Sequence, residues 1–142
     1  MSAEPTFLVY LPVTDVAASV KWYTTAFGFK VNEATYHPSS YAHIYLGGPS
    51  AKESRAQLML RKFPEAQRWE KEGDKVPVYD LMWDVTEKGK GKEVVDEWLA
   101  KVKHTGVKVD LQGTGAEDKE WGTRQFELKD PDGHRVTFYT YL

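Results

Sequence analysis

The chain has 142 residues, enough for one domain to bury a sizeable core without staples. Its 41% apolar and 28% charged residues are ordinary for a folded protein, and a net charge of −2 with both signs interspersed argues against nucleic acid or an anionic membrane as partner. The chain contains no cysteine, which excludes disulfides and thiolate metal sites. No run approaches the roughly 18 apolar residues of a membrane span. Residues 1–6 lack the basic-then-apolar pattern of a secretory signal, so a cytoplasmic protein is expected. The one departure is aromatic content, 13% with five Trp and eight Tyr, which serves a core but also suits a site that stacks flat ligands.

Phe7–Val13 reads as a strand. Thr14 or Asp15 can cap the helix that follows, whose apolar stripe is Val16, Val20, Tyr23 and Phe27 and whose end is marked by Gly28. Three β-rich runs come next: Phe29–Asn32, Tyr41–Leu46 and Ala56–Leu60. A charged, helix-prone connector spans Phe63–Asp74. The order then repeats. Val78–Val85 reads as a strand, and Glu93–His104 as a helix with Val95, Trp98, Leu99 and Val102 on one stripe, stopped by Gly106. Val107–Leu111 is a strand, Gly113–Glu120 a polar loop, and Thr123–Leu128 and His134–Tyr141 the closing strands. Asp130-Pro131-Asp132-Gly133 forms the turn between these last two, with Pro setting φ and Gly supplying a positive one. The fold class is therefore α+β, a duplicated strand, helix, three-strand architecture.

Strand alternation sorts the side chains. Phe7, Val9, Leu11, Val13, Ala42, Ile44, Leu58, Leu60, Leu81, Trp83, Phe126, Leu128, Val136 and Phe138 are expected under the helices. The opposite faces carry Tyr10, His43, Tyr45, Gln57, Met59, Asp80, Met82, Glu127, Thr137 and Tyr139. That mixture of aromatic, thioether, amide and acid side chains fits a half-dry ligand cavity, although a sheet face can also be merely solvated. Tyr10, Tyr45 and Tyr139 with Met59 and Met82 are costly on an open wet surface, which favours the cavity.

Glu120-Trp-Gly-Thr-Arg-Gln-Phe-Glu-Leu-Lys-Asp-Pro-Asp-Gly-His-Arg-Val-Thr-Phe138 resembles the closing hairpin of the vicinal-oxygen-chelate superfamily, which comprises glyoxalase I, extradiol dioxygenases and bleomycin resistance proteins. Pro12–Asp15, Ser19, Trp22-Tyr23 and Phe27-Gly28-Phe29 resemble its opening strand and helix, and the whole looks closest to the bleomycin-resistance branch. The resemblance implies two βαβββ modules, about residues 6–62 and 77–142 of a single domain spanning residues 1–142. It also implies a curved mixed sheet forming a cup, and a homodimer. Its metal enzymes carry ligands, usually His, Glu or Gln, at positions that fall here on Leu8, Met59 (or its neighbour Leu58), Asp80 and Thr137. Only Asp80 is a ligand of the carboxylate kind, and a catalytic metal normally takes about three protein ligands. No metal and no cofactor are therefore expected.

His43, between Tyr41 and Tyr45 in sequence, is a catalytic candidate as acid, base or ligand, or else a hydrogen-bonded wall residue. Asp80 is a candidate general base if desolvated, or the partner of a cationic ligand or a nearby Arg. Glu127 with Arg61 reads as a possible cross-sheet ion pair, and Trp121 as a ligand lid or a loop anchor. His37, His104 and His134 read as structural or solvated, and Lys88–Lys92 as a solvated loop. Two functions compete. The first is a metal-independent protein that sequesters an aromatic or drug-like ligand, as in antibiotic resistance, through Tyr10, His43, Tyr45, Gln57, Met59, Asp80, Met82, Trp121, Glu127, Thr137 and Tyr139. The second is a glyoxalase-like lyase, isomerase or dioxygenase-like enzyme using a relocated metal (His43, Asp80, Glu127) or acid–base chemistry. With Arg61 as its one nearby cation, the expected lining prefers a flat neutral or cationic molecule to an anionic thiol conjugate.

Overall fold

The computed structural model describes residues 7–63 and 77–142, so the connector lies outside the described residues from residue 64 onward. The chain divides into two compact units, Met1–Pro77 and Val78–Leu142.

In the first unit, strand β1 (Leu8–Val13) leads into helix α1 (Val16–Phe27), followed by β2 (Lys30–Val31), β3 (Tyr41–Leu46) and β4 (Ala56–Lys62). Asp15 caps the helix by accepting a hydrogen bond from the Ala18 amide at 3.0 Å, and Gly28 ends it in the left-handed region at φ 82°. The stripe is buried as its spacing requires, with Tyr23 at the centre of edge-on contacts to Trp22, Phe27 and Phe29. The sheet order is β1-β4-β3-β2, with β1 parallel to β4 and the other pairs antiparallel. Leu11, Val13, Ala42, Ile44, Leu58 and Leu60 are buried on one side. Phe7 and Val9 depart from the expected pattern. They lie at the open end of edge strand β1 and are 79% and 38% exposed, so alternation alone does not bury them.

The second unit repeats the plan with β5 (Asp80–Asp84), helix α2 (Glu93–His104), β6 (Asp110–Asp118), β7 (Thr123–Lys129) and β8 (Arg135–Tyr141) in the order β5-β8-β7-β6. Again the first strand is parallel to the last. The turn before β8 is held by Asp130, whose carboxylate accepts from the amides of Asp132 and His134, each at 2.9 Å. His134 is fully buried, and its Nδ1 accepts from the Tyr79 amide at 3.0 Å, which latches the starts of β5 and β8 together. It is structural.

Two expectations need correction here. The segment read as a polar loop, Gly113–Glu120, is largely part of β6, which continues through a bulge. The register jumps from Gln112 opposite Glu127 to Glu117 opposite Gln125, leaving four β6 residues opposite Phe126. Two glycines in a polar run imitate a loop, yet they supply the positive φ that a bulge needs. At its tip Gly115 (φ 124°) lies where an added Cβ would sit 3.5 Å from Leu99 of α2. The second correction is Trp83, which is half-buried rather than fully covered. It meets Phe138 edge-on with centroids 4.9 Å apart.

Phe138 is the centre of this core, also stacked on Phe126 at 4.7 Å and packed against Trp98 at 5.2 Å. Phe138→Ala is expected to cost about 3–5 kcal/mol in denaturant unfolding, and the half-exposed Trp83→Ala clearly less. Equal losses would show that Trp83 is buried more deeply than this.

Candidate functional site

Among the described residues each unit leaves one sheet face without a helix, and the proposed lining residues sort onto those faces. In the first unit the register sets Leu8, Gln57 and Tyr45 in one row across the sheet, and Tyr10, Met59 and His43 in the next. All except Leu8 (38% exposed) and Tyr10 (49%) are half-buried.

His43 is held at both ring nitrogens. Gln57 donates its amide to the Ser54 carbonyl at 2.8 Å, which turns its Oε1 toward the imidazole. That oxygen takes the Nε2 proton at 2.8 Å, and Nδ1 accepts from the Asn32 side-chain amide at 3.3 Å. This chain of bonds corresponds to the tautomer that donates from Nε2 and accepts at Nδ1. His43 is a hydrogen-bonded wall residue, with no ring nitrogen left open to a substrate in this arrangement. Beside it, Asn32 and Tyr45 with Val31, Glu33 and residues 49–52 line a cleft of about 310 Å³.

Glu127 and Arg61, read as a possible ion pair, each have a partner within their own unit. The Arg61 guanidinium lies over the Tyr10 ring at 5.2 Å, while Glu127 meets Arg135 at 3.3 Å. Arg135 also grips Asp80 with two bonds, Nε to Oδ1 at 2.6 Å and Nη2 to Oδ2 at 3.2 Å. The strand pairing brings this about, because Asp80 and Arg135 stand directly opposite each other in the β5–β8 ladder. Arg61 is thus not the one cation of the lining. Nor is Asp80 a desolvated base: it is exposed, and the hydrogen bond and charge of Arg135 hold its carboxyl below the usual range. A nearby Arg was one of the expected partners of Asp80, and the β5–β8 register identifies it as Arg135.

On the same face Met82, Thr137, Glu127 and Gln112 form a row, with Asp84, Tyr139, Gln125 and Glu117 as the next. Met82 is 57% exposed, whereas Thr137 is buried beneath its neighbours. Burial, with Tyr141 beside it, raises the Tyr139 phenol above its ordinary range. Trp121 is 63% exposed, donates its indole N–H to Gln125 Oε1 at 3.3 Å, and has the Lys119 ammonium 5.7 Å from its ring. Gln112, Glu117, Lys119, Gln125 and Glu127 surround a hollow of about 100 Å³ at the β6 bulge. Of these, Gln112, Glu117 and Lys119 were missed by sequence reasoning, because their segment read as a loop.

The donor set does not suit a divalent ion. Among Leu8, Met59, Asp80 and Thr137 there is one carboxylate, and it is already charge-paired with Arg135. Among the described residues no group of three or more His, Asp or Glu side chains is placed to hold a metal ion. No helix of the described residues is long and apolar enough to cross a membrane.

The family model for the Glyoxalase/Bleomycin resistance protein/Dioxygenase superfamily matches residues 6–138. Among solved structures the chain is similar to TioX from Micromonospora sp. ML1, at 22% identity over 98% of this chain and 100% of that one, with a TM-score of 0.70. It is similar also to a glyoxalase/bleomycin resistance protein/dioxygenase family enzyme from Burkholderia phytofirmans PsJN (18% identity, 95% and 97% coverage, TM-score 0.70). A third is lactoylglutathione lyase from Agrobacterium tumefaciens (17% identity, 99% and 96% coverage, TM-score 0.69). At such identities the likeness is one of fold. A search of the curated proteins gave no match.

Asp80 provides a pH test. Its folded-state pKa is depressed, so its contribution is present above the unfolded value of about 3.9 and fades as pH falls through the folded value. Asp80→Asn should therefore lower stability slightly at pH 7, as an exposed pair does, and make no difference at pH values below both pKa values. Urea unfolding at the two extremes reads this out, and an equal loss at both would mean the pair is not the cause.

Proposed function

Because the chain belongs to the Glyoxalase/Bleomycin resistance protein/Dioxygenase superfamily, we propose that it is a metal-independent binding protein that sequesters a flat, neutral, aromatic or drug-like molecule, and that it does so as a homodimer. The observation that carries this reading is the uncovered face of the first sheet. There Tyr10, Tyr45 and Met59 offer aromatic and thioether surface around a His43–Gln57 pair whose hydrogen bonds are already made. A flat ring gains by replacing water on such surface, where the Arg61 guanidinium already lies over the Tyr10 ring at 5.2 Å. In the second unit Arg135 pairs with both Asp80 and Glu127 and offsets one of their two negative charges, which weakens the reason to expect a cationic ligand.

Two further features support the reading. His43 has both ring nitrogens engaged and Asp80 is exposed and paired, so neither candidate has the environment of a tuned acid or base. The exposed apolar run Phe7–Tyr10 on edge strand β1 is a surface that a second chain would cover, and this motivates the dimer.

Calorimetric titration after chelator treatment tests the binding reading. Quinoline should bind, S-methylglutathione should bind much more weakly, and Tyr45→Ala should weaken quinoline binding about three- to tenfold. Chelator-dependent melting with one divalent ion per chain would overturn the metal-independent part, and tight binding of the glutathione conjugate the ligand class. Sedimentation tests the dimer separately: Val9→Lys, which puts a charge on the strand edge, should shift the protein to monomer without loss of secondary structure.

A further inference from the structure

The hollow at the β6 bulge belongs to no feature used so far. Four side chains bracket it in two cross-strand pairs, Gln112 with Glu127 and Glu117 with Gln125, and Lys119 lies at its rim. Their hydrogen-bonding capacity is unevenly used. Glu117 accepts from Thr114 at 2.7 Å through Oε1 and from Lys119 at 2.8 Å through Oε2, so this carboxylate and this ammonium satisfy each other. Gln112 spends its amide N–H on the Asp110 carbonyl at 2.9 Å, which leaves its Oε1 as an acceptor. Glu127 meets Arg135 through Oε1 at 3.3 Å, and its carboxylate keeps further acceptor capacity. Gln125 is the reverse case. Its Oε1 accepts from the Trp121 indole at 3.3 Å and from the Thr123 hydroxyl at 2.8 Å, which fixes the amide orientation and leaves its NH₂ as a donor.

We propose that this hollow is a subsite for a neutral primary carboxamide carried on an aromatic ring, with the ring stacked on Trp121. Two acceptors and one donor match the group: its NH₂ donates to Gln112 and Glu127, and its carbonyl oxygen accepts from Gln125. A carboxylate has no proton for the two acceptors and meets the Glu127 charge. An ammonium has no acceptor for the Gln125 donor. Trp121 marks where the ring goes, since its indole is exposed yet tied through Gln125 to the same hollow. The inference deepens the binding reading above and rests on it.

The test titrates benzamide, benzoate, benzylamine and quinoline against the full chain by ligand-observed NMR. Benzamide should bind at least about tenfold more tightly than benzoate or benzylamine, the worth of roughly one to two well-made hydrogen bonds. Gln125→Glu keeps the shape but turns the donor into an acceptor. It should abolish the preference for benzamide and favour benzamidine, whose amidinium has only donors. Trp121→Ala, a change at an exposed position that leaves folding intact, should weaken benzamide about three- to tenfold. If quinoline binds while benzamide does no better than benzoate, or if both variants keep the benzamide preference, the carboxamide subsite is wrong and the binding reading stands. If no flat probe binds, both fail.

Discussion

Among the described residues each unit sets one α-helix against a four-stranded sheet, and this inequality governs the rest of the molecule. A helix can cover one sheet face, and burial of that face supplies the stability of the unit. The first strand is inserted parallel beside the last, so the crossover helix must return over the sheet on that covered side. The second face is left over. Its residues are freed from the demands of a core, and here they are neither uniformly apolar nor uniformly charged.

How that second face is wired differs between the units. In the first, the polar groups are neutral and linked in one series from Ser54 through Gln57 and His43 to Asn32. In the second they are charged, and Arg135 stands between Asp80 and Glu127. An exposed pair of this kind adds little stability, but it sets the field that any ligand meets. One guanidinium between two carboxylates offsets one of their two negative charges and leaves the group with a net charge of −1.

The bulge in β6 adds a local exception to the regular grid. Four residues opposite one cannot be accommodated in a flat ladder, so the strand must leave the plane. Gly115 meets the side chain of Leu99 in α2, which shows the helix-facing side toward which the strand moves. A hollow opens where the ladder is interrupted, ringed by the pairs that resume on either side. Glycine is favoured at this approach because the backbone has φ 124°, a conformation that other residues rarely adopt.

Periodicity and punctuation determined much by themselves. The repeated strand, helix, three-strand order, the bounds Glu93–His104 and Tyr41–Leu46, the Asp15 cap and the membership of the two sheet faces all follow from local pattern. They were legible because a helix or strand repeats its environment every 3.6 or 2 residues, so each side chain reports on its own surroundings. What lay beyond such reading depends on residues far apart in the chain. Whether Asp80 is a free base or a paired acid is decided by Arg135, 55 residues away, through the register of two parallel strands. Whether His43 keeps a ring nitrogen open is decided by Asn32 and Gln57 on neighbouring strands and loops. Whether Gly113–Glu120 is loop or strand is decided by β7 beside it, and whether Phe7 and Val9 are covered is decided by their place at the end of an edge strand. Local sequence fixes which way a side chain points, but the partner it meets there is a property of the assembled sheet.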